Sequence, residues 1–282
     1  MKKFFTIIIF QLLIYSSFSQ NFEINGMIKD SSGNPIEYAS VGILNKPIGT
    51  VSNLDGNFNL KLNSINETDT LKISSLGYVS KEIIISKIDK EGSLKINLES
   101  FKEPLKEVII TSKKLKSYTD GKTKTNTSQQ VIFANPEFPN INLGTEIGRK
   151  FKLEDDDPSR LTKFRFYIKD NNFDSVKFRI NIYTLNENDQ PDKRINIPNI
   201  LVSAPENYTG WIDVDLSSYD LVFQENIIVA VEWIEHSESG NKLNLPIIIP
   251  SFGSTHYYKF GSQNSWEKYG GISSSMELTY KR

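Results

Sequence analysis

From Phe22 to about Thr111 apolar residues alternate with polar ones at period two, the pattern of strands that bury one face and wet the other. Phe22, Ile24 and Ile28 share a face. The same alternation groups Ala39, Val41 and Ile43, then Phe58, Leu60 and Leu62, then Leu71 and Ile73, Ile83 and Ile85, and Leu94, Ile96 and Leu98. No stretch sustains a helical period. Turn formers separate the runs: Asp30-Ser31-Ser32-Gly33-Asn34-Pro35 breaks the first pair, and Asp55-Gly56 supplies the positive backbone angles of a tight hairpin. This spacing predicts an antiparallel sandwich.

Residues 112–142 change character, with Lys113, Lys114, Lys116, Lys122 and Lys124 set among Ser, Thr, Asn and Pro. They read as a basic linker, anchored partway by Val131-Ile132-Phe133. Alternation then returns at Phe164, Phe166 and Ile168, at Val176, Phe178, Ile180 and Ile182, and at Ile212, Val214 and Leu216. Residues 226–234 are apolar on both parities, as in a central strand covered on both faces. The segment 143–282 therefore predicts a second, jelly-roll-like antiparallel β-sandwich, and the fold class is all-β.

In the first unit, Ile24-Asn25-Gly26-Met27-Ile28-Lys29-Asp30, Gly33-Asn34-Pro35-Ile36-Glu37-Tyr38-Ala39-Ser40-Val41, Gly49-Thr50-Val51-Ser52-Asn53-Leu54-Asp55-Gly56-Asn57-Phe58 and Leu76-Gly77-Tyr78 occur in order. Together they resemble the carboxypeptidase-D regulatory-like domain. The resemblance implies a transthyretin-like, seven-stranded Greek-key sandwich over about residues 20–111. It also implies a module that accompanies peptidases or the N-termini of outer-membrane receptors without doing chemistry itself. Leu105-Lys106-Glu107-Val108-Ile109-Ile110-Thr111 is similar to the segment that joins such a module to the plug of TonB-dependent receptors. The residues after Thr111 are too few for a plug and barrel, so this stretch reads as the domain's last strand. Trp211-Ile212-Asp213-Val214-Asp215-Leu216-Ser217 and Val229-Ala230-Val231-Glu232-Trp233 give the second unit a pattern-level similarity to galactose-binding-like accessory domains.

Lys2 and Lys3 before a mostly apolar run, followed by Ser17-Phe18-Ser19, predict a secretory signal peptide over 1–19 with cleavage before Gln20. The mature chain is then expected to be exported, periplasmic or associated with the outer membrane or cell surface of a Gram-negative cell, with no transmembrane segment. The chain has no cysteine, which removes disulfides and cysteine nucleophiles. Its 33 Lys+Arg against 34 Asp+Glu give a net charge of −1, so nothing global draws it to nucleic acid.

Candidate chemistry is sparse. The histidines are His236 and His256, and His236-Ser237-Glu238 lacks the His-x-x-Glu spacing of the zinc carboxypeptidases. No Gly-x-Ser-x-Gly elbow marks a serine nucleophile. Glu154-Asp155-Asp156-Asp157 before Pro158 reads as a solvated loop, and Asp55-Gly56-Asn57 as a turn, so no metal or cofactor is expected. Trp211 and Trp233 read as core. Tyr257, Tyr258, Trp266 and Tyr269 fall in a Gly- and Ser-rich stretch, where exposed rings would stack on a sugar, and they form the candidate ligand site. The sequence thus predicts a non-catalytic envelope binding or structural protein with an envelope protein or glycan as partner. The alternative is a glycan-binding accessory protein or glycan-processing enzyme built on those aromatic loops. The lysine-rich linker adds an expected weak contact with an anionic membrane surface.

Overall fold

The structure, a computed structural model, describes residues 22–62, 65–89, 92–101, 115–136, 143–153 and 157–282. The first unit consists of β1 (Phe22–Asp30), β2 (Ser40–Ile43), β3 (Gly49–Val51), β4 (Asn57–Leu62), β5 (Thr70–Ser74), β6 (Lys81–Ile84) and β7 (Leu94–Leu98). They form two sheets, in the orders β4-β1-β7 and β3-β2-β5-β6, the seven strands the resemblance implies. In β4 the burial alternates strictly: Phe58, Leu60 and Leu62 point inward, and Asn57, Asn59 and Lys61 outward. Ile24, Ile28, Val41, Ile43, Leu71, Ile73, Ile96 and Leu98 complete the core. Gly26 allows this packing, because a Cβ there would lie 2.5 Å from the Phe58 ring. Gly56 takes φ +75° in the turn before β4, where its N–H bonds the Asn53 carbonyl at 3.0 Å, as the hairpin reading of Asp55-Gly56 requires.

The second unit comprises sixteen described strands. A seven-stranded sheet has the order β14 (Pro191–Arg194), β13 (Val176–Leu185), β18 (Ile227–His236), β10 (Glu146–Phe151), β20 (Thr255–Lys259), β21 (Glu267–Gly270), with β15 (Ile200–Ala204) also on β13. A second sheet runs β16 (Gly210–Asp215), β11 (Ser159–Ile168), β23 (Met276–Lys281), β8 (Ser117–Gly121), with β17 (Val222–Phe223) on β11. A third joins β12 (Asp170–Asn171), β19 (Leu243–Ile248) and β22 (Ser273–Ser274), with β9 (Gln129–Ala134) on β19. The core between them is aromatic: Phe166 meets Phe178 edge-on at 5.2 Å, and Phe133 contacts both Phe178 and Trp233. Residues 227–234 are all buried, as the doubly apolar run implies. Among the described residues no helix is long and apolar enough to cross a membrane.

The segment 112–142 corrects the linker reading over its described part. β8 pairs with β23, with Tyr118 stacked on Tyr280 at 5.8 Å, and β9 pairs with β19 while Phe133 is fully buried. Edge strands need backbone partners more than apolar side chains, so the polar Ser-Tyr-Thr-Asp-Gly run forms β8 without alternation, while β9 holds the expected Val131-Ile132-Phe133 anchor. Lys113 and Lys114 lie outside the described residues, as do 137–142.

The two sandwiches dock through the loop between β20 and β21. The Ser262 hydroxyl donates to the Val41 carbonyl at 2.6 Å, and the Gln263 amide donates to Ser40 O at 3.2 Å and Ser74 Oγ at 2.8 Å. Gly42, Gly49 and Gly144 surround Ser262 so closely that a Cβ on Gly49 would sit 2.5 Å from its Oγ. Tyr38, Val51, Ile234 and Leu143 form an apolar seam beside this contact.

Candidate functional site

Tyr38 lies on the first sandwich with φ +50° and is buried against the second. Its hydroxyl donates to Glu235 at 2.7 Å and accepts from Lys177 at 2.8 Å, and Lys177 also reaches Glu235 at 2.9 Å. Arg179 donates to the Tyr38 carbonyl at 2.8 Å. Burial pushes the Tyr38 pKa up, so the phenol stays protonated and able to donate.

Next to this triad opens a cleft of about 760 Å3, between the edges of β3 and β4 on one side and Leu143 with the end of β18 on the other. Asn57, Phe58, Asn59, Leu60 and Lys61 all line it. Both side-chain parities of β4 contribute because the strand's free edge, rather than one face, borders the space; among the described strands β4 pairs with β1 alone. Asn25 and Asn53 add two more amides, and Leu54 stands 57% exposed at the cleft.

Inward from the cleft, four adjacent strands carry one charged residue each in a single row: Arg179, Glu232, Glu146 and Lys259. Arg179 pairs with Glu232 at 2.8 Å and Lys259 with Glu146 at 2.5 Å. The two carboxylates face each other across β18 and β10, bridged by the Asn181 amide, which donates to Glu146 at 3.0 Å and Glu232 at 2.7 Å. Tyr183 donates to both Glu146 oxygens. Burial alone would raise the Glu146 pKa, but Lys259, Asn181 and Tyr183 outweigh it and hold the group below the ordinary carboxylate value. The general acid of a glycosidase has a raised pKa, the opposite of the shift at Glu146. The ladder neutralises itself and fastens the sheet beneath the first sandwich. Sequence reasoning missed it, although Arg179 and Glu232 interrupt otherwise apolar runs, which is the one signal available.

The candidate aromatic residues do not converge on an open platform. Tyr257 is fully buried and its hydroxyl donates to the Asp189 carbonyl at 2.8 Å. Tyr258 donates to the Ile132 carbonyl at 3.0 Å from the opposite face of β20. Trp266 packs edge-on against Tyr183 at 5.4 Å and under Lys259 at 5.1 Å, which closes the ladder. Tyr269 is 39% exposed and bonded to Glu267. The reason is register: residues of β20 alternate between the two sides of a covered sheet, so neighbouring rings are sent apart. His236 packs its ring on Trp233 at 5.1 Å, and His256 is buried with Nδ1 3.0 Å from Ser274 Oγ. Trp233 is core as expected, whereas Trp211 is only half-buried and carries Arg165 over its ring at 4.3 Å. Of the acidic run, residues 154–156 lie outside the described residues.

These features define an all-β protein of two docked sandwiches with a cleft at their junction. Its residues 24–110 match the CarboxypepD_reg-like domain family, as the sequence motifs imply. The chain is also similar to the TonB-dependent receptor SusC of Bacteroides thetaiotaomicron, 29% identical over 98 residues, which are 35% of this chain and 9% of the receptor. It thus spans less than a tenth of that relative. Among solved structures it is similar to the cysteine protease and lectin-like domains of Cwp84 from Clostridium difficile, with TM-score 0.37 and 14% identity over 49% of this chain and 32% of that one. Clostridial Cwp84 after propeptide cleavage gives TM-score 0.39 and 12% identity over 86% and 66%. Likenesses of this size carry no functional argument.

Proposed function

We propose that this is an exported, non-catalytic binding protein of the cell envelope, and that its interdomain cleft takes up an extended segment of a protein partner along β4. The observation that carries this reading is the unpaired edge of β4 bordering the cleft over Asn57 to Lys61. A free strand edge offers main-chain donors and acceptors to an added strand, and pockets for alternate side chains give selectivity. The volume, about 760 Å3, falls within the range of ligand sites. The similarity of the first sandwich to part of an outer-membrane receptor, with the leader-like N-terminus, supports an envelope setting.

A photo-crosslinking residue placed at Leu54 tests the reading in cells, with the same residue at Leu201, exposed on β15, as control. One discrete protein adduct from position 54 and none from 201 is expected; identical patterns from both would remove the cleft as the binding site. A second reading, a neutral glycan in the same cleft, is favoured by the amides of Asn25, Asn53, Asn57 and Asn59, which suit hydroxyl pairs. Titration calorimetry against neutral oligosaccharides separates the two. Binding that weakens in Asn25→Ala/Asn59→Ala would support the glycan.

A further inference from the structure

Three residues along β10 from Glu146, the strand presents Arg149 to the interior and Lys150 to the outside, and Lys152 follows at its end. Arg149 is only 4% exposed, and its Nη1 donates to the hydroxyls of Ser254 and Ser273, which are neutral acceptors. Among the described residues its one nearby carboxylate, Asp120, stands 3.8 Å from Nη2 and also accepts the Lys152 N–H at 3.3 Å. The Nε of Arg149 has no hydrogen-bond partner. Burial disfavours the guanidinium charge, and Asp120 restores part of it, so this is a buried cation short of counter-charge.

A cleft of about 200 Å3 opens beside this guanidinium, bounded by the ends of β8 and β10 and by the turn that joins β19 to β20. Lys122 and Lys152 line it, neither in an ion pair among the described residues, and Ser254 contributes its hydroxyl. Lys150 lines it too, but is occupied by Asp189. Among the described lining residues Asp120 is the one acid against four cations. Phe252 projects from the rim, 86% exposed, and Ile249 on the same turn is 55% exposed.

We propose that this cleft binds a phosphate group, free or carried at the head of an anionic lipid. A guanidinium offers paired donors that match phosphate oxygens, the Ser254 hydroxyl adds a neutral donor, and two unpaired ammonium groups supply point charges. A phosphate monoester brings between about 1.5 and 2 negative charges at neutral pH, enough to answer both Arg149 and the flanking lysines where a single carboxylate would not. The exposed Phe252 and Ile249 beside a cationic pocket are placed to meet the apolar portion of a lipid while its headgroup is held. This site is separate from the cleft between the sandwiches, and the two stand or fall independently.

Inorganic phosphate titrated into the full chain, followed by calorimetry, is the first test. Wild type is expected to bind, and Lys122→Gln/Lys152→Gln, which alters only side chains outside the core, to bind about tenfold more weakly with an unchanged circular dichroism spectrum. The source is separated by sedimentation with phosphatidylcholine vesicles, with and without phosphatidic acid, whose headgroup is a phosphate monoester. Co-sedimentation only with the anionic vesicles, lost in Phe252→Ser while inorganic phosphate still binds, assigns a lipid headgroup. Phosphate binding without vesicle binding assigns a free phosphate ester. No phosphate binding by wild type, or binding of either probe that is equal in wild type and the double lysine variant, would overturn the proposal.

Discussion

His256 is buried on β20, and burial, reinforced by the neighbouring charge of Arg149, holds its pKa down at about 4 from an ordinary 6.5. A histidine depressed in the folded state stays neutral there while the unfolded chain takes up a proton, so between those two values the unfolded state binds more protons and stability rises with pH. The penalty is absent above about pH 6.5 and grows as pH falls toward 4, to a total on the order of 3 kcal/mol. Glu146 adds to the same trend at lower pH, because its depressed carboxyl contributes stability that is lost as pH falls through its folded value. We expect the urea midpoint to drop between pH 7 and 4.5, and the drop to shrink in His256→Asn. An equal slope in both proteins would show that His256 is not the group responsible. Nothing at residue resolution foretold this behaviour, since a histidine between Thr255 and Tyr257 in a Gly- and Ser-rich stretch reads as a loop residue until the register of β20 turns it inward.

The row of Arg179, Glu232, Glu146 and Lys259 belongs to the strands that carry it, since register alone aligns the four side chains. Removing one member leaves its partner's charge buried, so Arg179→Met is expected to lower stability by about 3 to 5 kcal/mol. Arg179→Met/Glu232→Leu removes both charges and is expected to recover much of that loss in chemical denaturation. If the double variant is as unstable as the single, the pair's role is not charge compensation. β8 and β9 make a second test at this scale. Amides of Tyr118 to Asp120 and of Val131 and Ile132, in the segments that pair with β23 and β19, should exchange with solvent as slowly as other edge strands. Exchange at the rate of an unstructured chain would restore the linker. Period-two runs such as Phe58, Leu60, Leu62 and Phe164, Phe166, Ile168 were legible because each strand buries one face in its own sandwich. β8 was hidden because edge pairing is made by backbone groups that leave no mark on hydropathy, and β9 showed only as the short apolar run Val131-Ile132-Phe133. The cleft was hidden for a related reason: Asn25, Asn53, Asn57 and Asn59 look like the wet face of a sheet, and only the placement of the second sandwich turns them into a wall.

Over the whole molecule the question is whether the two sandwiches behave as one body. Inter-domain interfaces are by default small and permissive of motion. Here a serine is inserted among three glycines: Ser262 reaches Val41 across the boundary, and Gly42, Gly49 and Gly144 leave no room for even a methyl group without displacement. Arg179 and Lys177 reach from the second sandwich to the carbonyl and hydroxyl of Tyr38 on the first, and Val51 and Tyr38 meet Ile234 and Leu143 in an apolar seam. Buried polar contacts satisfied only in the docked arrangement make separation costly for both sides. Wild type should therefore unfold in one calorimetric transition with matching calorimetric and van't Hoff enthalpies. Ser262→Leu should break that unity, because the larger side chain cannot enter the glycine slot and must push the sandwiches apart, while each core, built from its own residues, remains intact. The expected record is two resolved transitions, and a larger radius of gyration in X-ray scattering. A single transition with unchanged scattering would mean the slot yields locally and docking rests on the seam instead. A change that opens the junction also separates β4 from the end of β18, so the same variant should lose any ligand held in the 760 Å3 cleft and keep phosphate binding at Arg149.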